Sequence, residues 1–393
     1  MGLFHDHGHK TQAGGWRRED LRGMRVQRRL KDITDRKQRE EAERGIDLGL
    51  EAAPSVQDRT ISTFARGQQP AFAGINTFRK APYCENIREV GRYEVAILGA
   101  PFDMGTTYRP GCRFGPQAVR RISALYDSYN ADMGVDLAEE LNMCDAGDVF
   151  VIPANLEKSF DQIDRAVSFI HSQGVFPVVI GGDHSIGYPD VRAIAPQIDG
   201  KVGIIHLDRH IDIQERDMDE RMHTTPWFHA TNIPNAPPSN LVQMGIGGWY
   251  GSRPGMKVAR ERDTTVITIS DVEELGIDRA VEIALECAWK DAAAVFLSFD
   301  IDSIDAGFVP GTGSPEPGGL LPREALRALR MIAREGICGM EVVEIAPPYD
   351  VSDMTAQLGC RAIMDVLGTM VEAGHLGSRK KAGERGQAPA AAS

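Results

Sequence analysis

Several features that would assign this 393-residue chain quickly are missing from it. No apolar run approaches the ~18 residues that a membrane-spanning helix needs. The first residues, MGLFHDHGHKTQAGGWRRED, hold no apolar stretch between their charges and a cleavage site, so a secretory leader is not expected. None of the six cysteines (Cys84, Cys112, Cys144, Cys287, Cys338, Cys360) pairs with another in a CxxC spacing. Scattered cysteines without a leader read as free thiols in a reducing compartment, and a cytoplasmic enzyme is expected. A concentrated basic surface is lacking too. Net charge is -12; residues 1–45 hold 12 Lys or Arg against 8 Asp or Glu, a local +4, which leaves -16 for the rest. That balance argues against nucleic acid as a partner.

What is present is ordinary globular composition, 42% hydrophobic and 25% charged. Residues 1–55 are polar and charge-dense and read as an N-terminal arm. Within them His5, His7 and His9 alternate in HDHGHK, either as metal capture or as a His-rich tail. Residues 377–393 are low-complexity and read as a disordered tail, which leaves 56–376 for the folded domain. There, apolar runs at 93–101, 175–182, 201–208, 240–248, 265–270, 294–300 and 338–345 predict strands, several of them apolar on successive residues as strands buried on both faces are. Leu156, Phe160, Ile163, Val167 and Ile170 fall on one stripe and predict a helix over 156–173 stopped by Gly174. Pro322 and Gly336 bracket a second one. Strand–helix alternation over about 280 residues predicts a three-layer α/β/α fold on a central parallel sheet, with function at the carboxyl ends of its strands.

Three runs place acid and imidazole groups at those ends: GGDHS (181–185), HLDRHIDIQ (206–214) and SFDIDSID (298–305). In extended backbone, side chains at i, i+2 and i+4 share a face. Asp208, His210 and Asp212 therefore converge, with Arg209 and Ile211 directed away, and Asp300 converges with Asp302. Singly, each run has a plain reading: a tight turn with a core histidine, or an N-cap cluster. Gathering His184, His210 and four carboxylates without cations is electrostatically prohibitive, and two divalent ions remove that cost. Imidazoles and carboxylates without thiolate suit Mn, Ni, Co or Fe rather than a structural zinc.

These runs resemble the ureohydrolase family, the arginases, agmatinases and their relatives, whose pattern is GGDHS, DAHxD and SFDIDxxDP. The likeness extends to FAGINTF (72–78), GAPFDMGTTYRPGCRFGPQAVR (99–120), VPGTGSPEPGGL (309–320) and EVVEIAPPYD (341–350), over about residues 60–372. It implies an arginase-like fold and hydrolysis of a C–N bond at a guanidinium-type carbon by a hydroxide between two metals. One metal would be held by His184, Asp208, Asp212 and Asp300, the other by His210, Asp208, Asp300 and Asp302, with Asp208 and Asp300 bridging. Glu344 matches the carboxylate that grips the guanidinium nitrogens, and His223 the histidine that passes a proton to the leaving amine. The resemblance also implies trimers or hexamers.

Four features depart from the pattern. Arg209 stands where most members have Ala, and is expected to pair with an acid beneath the site. Ala306 replaces the Pro after Asp305, GIGGWYGSR (245–253) replaces a GIRG-like run, and the stretch 227–249 is unusual. These features resemble the nickel-dependent guanidine hydrolase branch, yet Ser314 occupies a place where that branch has Trp. The space so left suggests an N-substituted guanidine or a biguanide such as metformin, with Ser314 and Trp249 shaping the substrate end. Agmatine, 4-guanidinobutyrate and arginine are competing substrates. A one-zinc deacetylase of the same fold is disfavoured by the full ligand sets. A non-catalytic subunit partnering a paralogue is disfavoured because none of the six ligand positions is lost.

Overall fold

A computed structural model of the chain describes residues 34–37, 39, 40 and 70–377. His5, His7 and His9, most of the expected N-terminal arm, and the tail past Gly377 lie outside the described residues. The chain divides into two units, Met1–Ile75 and Asn76–Ser393. Of the first, the turn in which Arg39 N–H donates to Asp35 O (3.1 Å) is helical. All that follows concerns the second.

Its strands in chain order are β1 (Val95–Ala100), β2 (Tyr129–Asn130), β3 (Val135–Asp136), β4 (Met143–Asp148), β5 (Phe176–Gly181), β6 (Lys201–Leu207), β7 (Leu241–Ile246), β8 (Thr265–Thr268), β9 (Ala292–Asp300) and β10 (Gly339–Val343). Eight of them form one sheet in the order β4-β1-β5-β10-β9-β6-β7-β8, every pair parallel. β2 and β3 make a separate antiparallel ribbon. Alternation along the strands divides the core in two. Val95, Ile97, Val178, Ile180, Ile205 and Leu207 face the helices Gly115–Ser123, Ile277–Ala288, Pro322–Arg334 and Met354–Glu372. Ala96, Leu98, Val179 and Ile204 face Leu156–Ser172, Gly187–Ile194 and Arg253–Arg262. Both faces are thus covered, which is why the strands read as continuous apolar runs rather than alternating ones. The three-layer expectation holds.

The helix Leu156–Ser172 shows how local signals set its ends. Asn155 caps it by accepting Lys158 N–H at 2.9 Å; Phe160, Ile163, Val167 and Ile170 are buried; and Gly174 leaves it at φ 64°. Two readings of the sequence change. The strand expected over 265–270 stops at Thr268, because Thr268 and Asp271 form a reciprocal capping box that starts the helix Ile269–Leu275. β4 was not expected, since MCDAGD carries no apolar run; it is the edge strand of the sheet, paired with β1 and bridged on its other side by Tyr83.

The strand order positions the site. β5 and β6 follow one another in the chain, but β9 and β10 insert between them. The crossovers on either side run in opposite directions, which opens a crevice at the carboxyl ends of β5, β10, β9 and β6. All three motif runs and Glu344 leave those four ends. The turn after β5 is tight: Asp183 N–H donates to Phe102 O (2.8 Å), Glu344 N–H donates to Gly182 O (2.8 Å), and a Cβ on Gly182 would overlap the Phe102 carbonyl. Gly182→Ala is therefore expected to destabilise the fold by on the order of 2–3 kcal/mol, read as a lowered melting temperature. A variant melting within a degree of the parent would contradict this packing.

Candidate metal centre

Each side chain of the crevice is delivered by a specific local structure. After β5, Asp183 caps the short 3-10 turn His184–Ile186 by accepting Ser185 N–H at 2.9 Å, which fixes His184. After β6, Asp208, His210 and Asp212 leave on one side, and the backbone turns at Asp212 with φ 42°. Asp300 ends β9 and accepts Asp302 N–H at 2.8 Å, so the second carboxylate is folded back beside the first. Ile211 points into the core as expected.

The sequence-predicted ligand residues come together. His184 Nδ1 lies 3.0 Å from Asp208 Oδ2, 3.1 Å from Asp212 Oδ2 and 3.0 Å from Asp300 Oδ2. His210 Nδ1 lies 3.1 Å from Asp302 Oδ2 and 3.4 Å from Asp208 Oδ1. Asp208 thus belongs to both clusters, one oxygen toward each.

Whether these groups fit a metal can be judged from geometry. His184 Nδ1 is fully buried and has no hydrogen-bond partner, although three carboxylate oxygens ring it at nearly equal distance. One N–H cannot serve three acceptors. Ligands about 2.1 Å from a shared ion would be roughly 3 Å apart, which is the spacing found. The electrostatics agree. Burial pushes the Asp300 carboxyl well above the usual range, and Asp302 and Asp208 add to the rise. Burial likewise carries Asp302 up to about 7 and raises Asp212. Cations between these groups would allow all of them to ionise. The donor set fits two divalent ions.

Around the ligands lies a layer that sequence reasoning missed. His206 Nε2 is 2.6 Å from Asp208 Oδ2, a hydrogen bond that orients the carboxylate. Ser298 Oγ is 2.9 Å from His184 Nε2, with Glu341 Oε1 at 3.8 Å, and Trp227 packs edge-on to the His184 ring. His206 was findable, since it extends the Asp208, His210, Asp212 alternation one step back into β6. Ser298 similarly precedes Asp300 by two, and Glu341 is its register partner across β10.

Glu344 and His223 stand beside the cluster. Glu344 is 3% exposed and adopts φ 65°, a left-handed conformation for a non-glycine residue that turns its carboxylate back toward the crevice. Oε1 accepts His184 N–H at 2.9 Å and lies 3.2 Å from His223 Nδ1; Oε2 accepts the Cys112 thiol at 3.1 Å. Burial alone would lower the His223 pKa, but its hydrogen bond to Glu344 and that residue's charge raise it to about 9. Burial opposes ionisation of Glu344, yet His223 and the other donors hold it below the usual range. His223 Nε2 meets Thr107 Oγ1 at 2.8 Å, and the backbone N–H of His223 donates to Gly105 O. Cys112 carried no signal in the sequence beyond its place in the 99–120 segment that resembles the family.

At the rim, Ser314 is half-buried next to Gly313, where a Cβ would lie 3.4 Å from Glu344 Oε2. The Trp249 indole is 99% exposed; Tyr250 is the aromatic beside His210, their ring centroids 5.7 Å apart. The acid expected to pair with Arg209 is Glu316, at 2.9 Å.

Parallel sheet, crevice and paired acid–imidazole clusters suit a metal-dependent hydrolase. The comparisons make this specific: the Arginase family profile matches residues 93–368, and the chain belongs to that family. Proclavaminate amidinohydrolase from Streptomyces clavuligerus is 36% identical over 74% of this chain and 91% of its own. Its solved structure superposes with a TM-score of 0.72 at 34% identity, covering 78% of this chain and 100% of that one. Mitochondrial agmatinase from Gallus gallus is 37% identical over 70% of this chain and 80% of its own, and guanidinobutyrase from Pseudomonas aeruginosa 31% over 76% and 93%.

Asp300→Asn should cut the metal bound after saturation with manganese from two ions per chain to one or fewer, measured by elemental analysis. Retention of two ions would contradict a shared role for Asp300.

Proposed function

We propose that the chain hydrolyses an N-substituted guanidine or a biguanide, releasing ammonia or an amine together with urea or a urea derivative. Two divalent ions, Ni2+ or Mn2+, would be held as the sequence motifs imply, one by His184, Asp208, Asp212 and Asp300 and the other by His210, Asp208, Asp300 and Asp302. When bound, such a pair acidifies water to a nucleophile near neutral pH and stabilises charge at the carbon under attack. The chain's own residues do the rest. Glu344 offers an ionised carboxylate, held in place by His184 N–H and Cys112, to the guanidinium nitrogens. His223, kept protonated at neutral pH by Glu344, gives its proton to the leaving nitrogen. Trp227 and the buried His206 behind the ligands exclude water from that side.

The observation that carries the substrate class is Ser314. A serine next to Gly313, whose Cβ would lie 3.4 Å from Glu344 Oε2, in place of the tryptophan of the guanidine hydrolase pattern supports a substrate larger than free guanidine. Ala306, the run 245–253 and the stretch 227–249 favour the guanidine hydrolase branch, and Ser314 a site widened for a substituent, acting in a reducing, cytoplasmic compartment. Among the described residues all six cysteines are free, and no helix is long and apolar enough to cross a membrane. Assembly into a trimer or hexamer, with a paralogous chain as a further partner, belongs to the same proposal. A second reading, hydrolysis of a guanidino acid, is favoured by Arg109. Its guanidinium stacks between Tyr108 and Tyr349 (5.2 Å to each ring) and its carbonyl faces Gly313. A cation there suits a carboxylate tail and opposes the cationic arm of agmatine.

The test is urea or amine release from guanidine, methylguanidine, metformin, 4-guanidinobutyrate and agmatine by enzyme loaded with Ni2+ or Mn2+. An N-substituted compound should be the best substrate, and Ser314→Trp should shift preference toward free guanidine by at least about tenfold, about 1.4 kcal/mol. Free guanidine preferred over every substituted analogue by the parent enzyme would sink the reading.

A further inference from the structure

Arg209, Ala306 and Gly247 depart from the ureohydrolase pattern at three separate places in the sequence, and in the structure all meet at one ion pair, Arg209–Glu316. Arg209, 3% exposed, sends Nε to Glu316 Oε2 at 2.9 Å and Nη2 to Pro317 O at 3.3 Å. The other carboxylate oxygen, Oε1, accepts Trp249 N–H at 2.6 Å. Ala306 N–H donates to the Glu316 carbonyl at 3.3 Å, a bond that a proline could not make. Gly248 sits at φ 74°, and a Cβ there would overlap the Glu316 carboxylate; a Cβ on Gly247 would lie 2.9 Å from Arg209 Nη1. Both glycines are therefore a condition of the ion pair, and the departure at Gly247 is not an independent change.

A pair this buried roughly breaks even against apolar side chains of the same volume, so stability does not account for it. Its geometry does more. Arg209 lies between Asp208 and His210; its N–H reaches Asp302 Oδ1 at 3.4 Å and its carbonyl accepts Gly247 N–H at 3.2 Å. The loop after β7 is thereby tied at two points to the segment that carries the metal-ligand candidates. That loop brings Tyr250 beside His210.

We propose that the Arg209–Glu316 pair is a positioning unit which holds the 247–251 loop against the mouth of the site on the His210 side, and so sets what substituent a guanidino substrate can carry. Neither residue touches the reacting atoms; both act through the loop and Tyr250. The kinetic consequence rests on the proposed hydrolysis, whereas the structural consequence stands without it.

The test uses full-length protein. Arg209→Met combined with Glu316→Leu replaces the pair by apolar side chains without stranding a buried charge. Glu316→Gln keeps an acceptor for Trp249 N–H, and Gly248→Ala pushes the carboxylate aside without altering charge. In the double variant, amide hydrogen exchange over 247–251 should accelerate at least tenfold while β6 stays protected and metal content after manganese loading is retained. Glu316→Gln should be intermediate, and Gly248→Ala should match the double variant; if the latter does not fold, Gly248→Ala decides. The ratio of kcat/KM for methylguanidine over guanidine should move at least fivefold, mainly through KM. Unchanged loop exchange, or an equal loss on all substrates, overturns the proposal. If the parent enzyme turns over none of the guanidino compounds, the hydrolase reading fails and the exchange result alone decides this one.

Discussion

Four carboxylates and two imidazoles gathered at the mouth of one buried crevice constrain everything else in this fold. Asp208 and Asp300 are essentially unexposed, as is His184, and like charges at such distances in a water-poor site repel strongly. The arrangement survives only if cations enter it and if the backbone holds the groups against relaxation. The parallel sheet supplies that rigidity: each segment that carries the clustered carboxylates and imidazoles leaves a central strand buried on both faces.

The surrounding polar groups then read as orientation rather than chemistry. His206, Ser298 and Glu341 come from inside the strands, behind the candidate ligands Asp208 and His184 that they orient. Asp183, in the middle of GGDHS, accepts N–H groups from Ser185 and Gly105, so it joins the His184 turn to the segment whose carbonyl takes His223 N–H. Glu344 is the point where these supports meet the proposed substrate end, and its left-handed backbone shows that the fold stores strain there. Strain of this kind persists only where neighbours over-determine it, as the His184, His223 and Cys112 contacts do.

Much of this was legible in the sequence because period-two alternation acts at short range. The 208, 210, 212 and 300, 302 sets follow from strand geometry alone, and the apolar runs gave seven of the eight strands of the main sheet. β4 escaped because an edge strand need not be apolar, and 269–270 misled because a capping box outweighed two β-compatible residues. The rim was the least readable part. Ser314, Trp249 and Arg209 are placed by loops from three different strand ends, and no local pattern says that Glu316 lies where those loops meet. The exposed Trp249 indole, with Tyr250 beside His210, depends on a buried ion pair between residues 107 positions apart.

The central claim is that the two clusters hold a pair of divalent ions sharing Asp208 and Asp300. The direct measurement is anomalous diffraction at the manganese or nickel edge from crystals of the loaded enzyme. Two peaks about 3.5–4 Å apart, one against His184 and Asp212 and the other against His210 and Asp302, are the predicted result. A single peak, or two that do not both contact Asp208 and Asp300, would contradict the account.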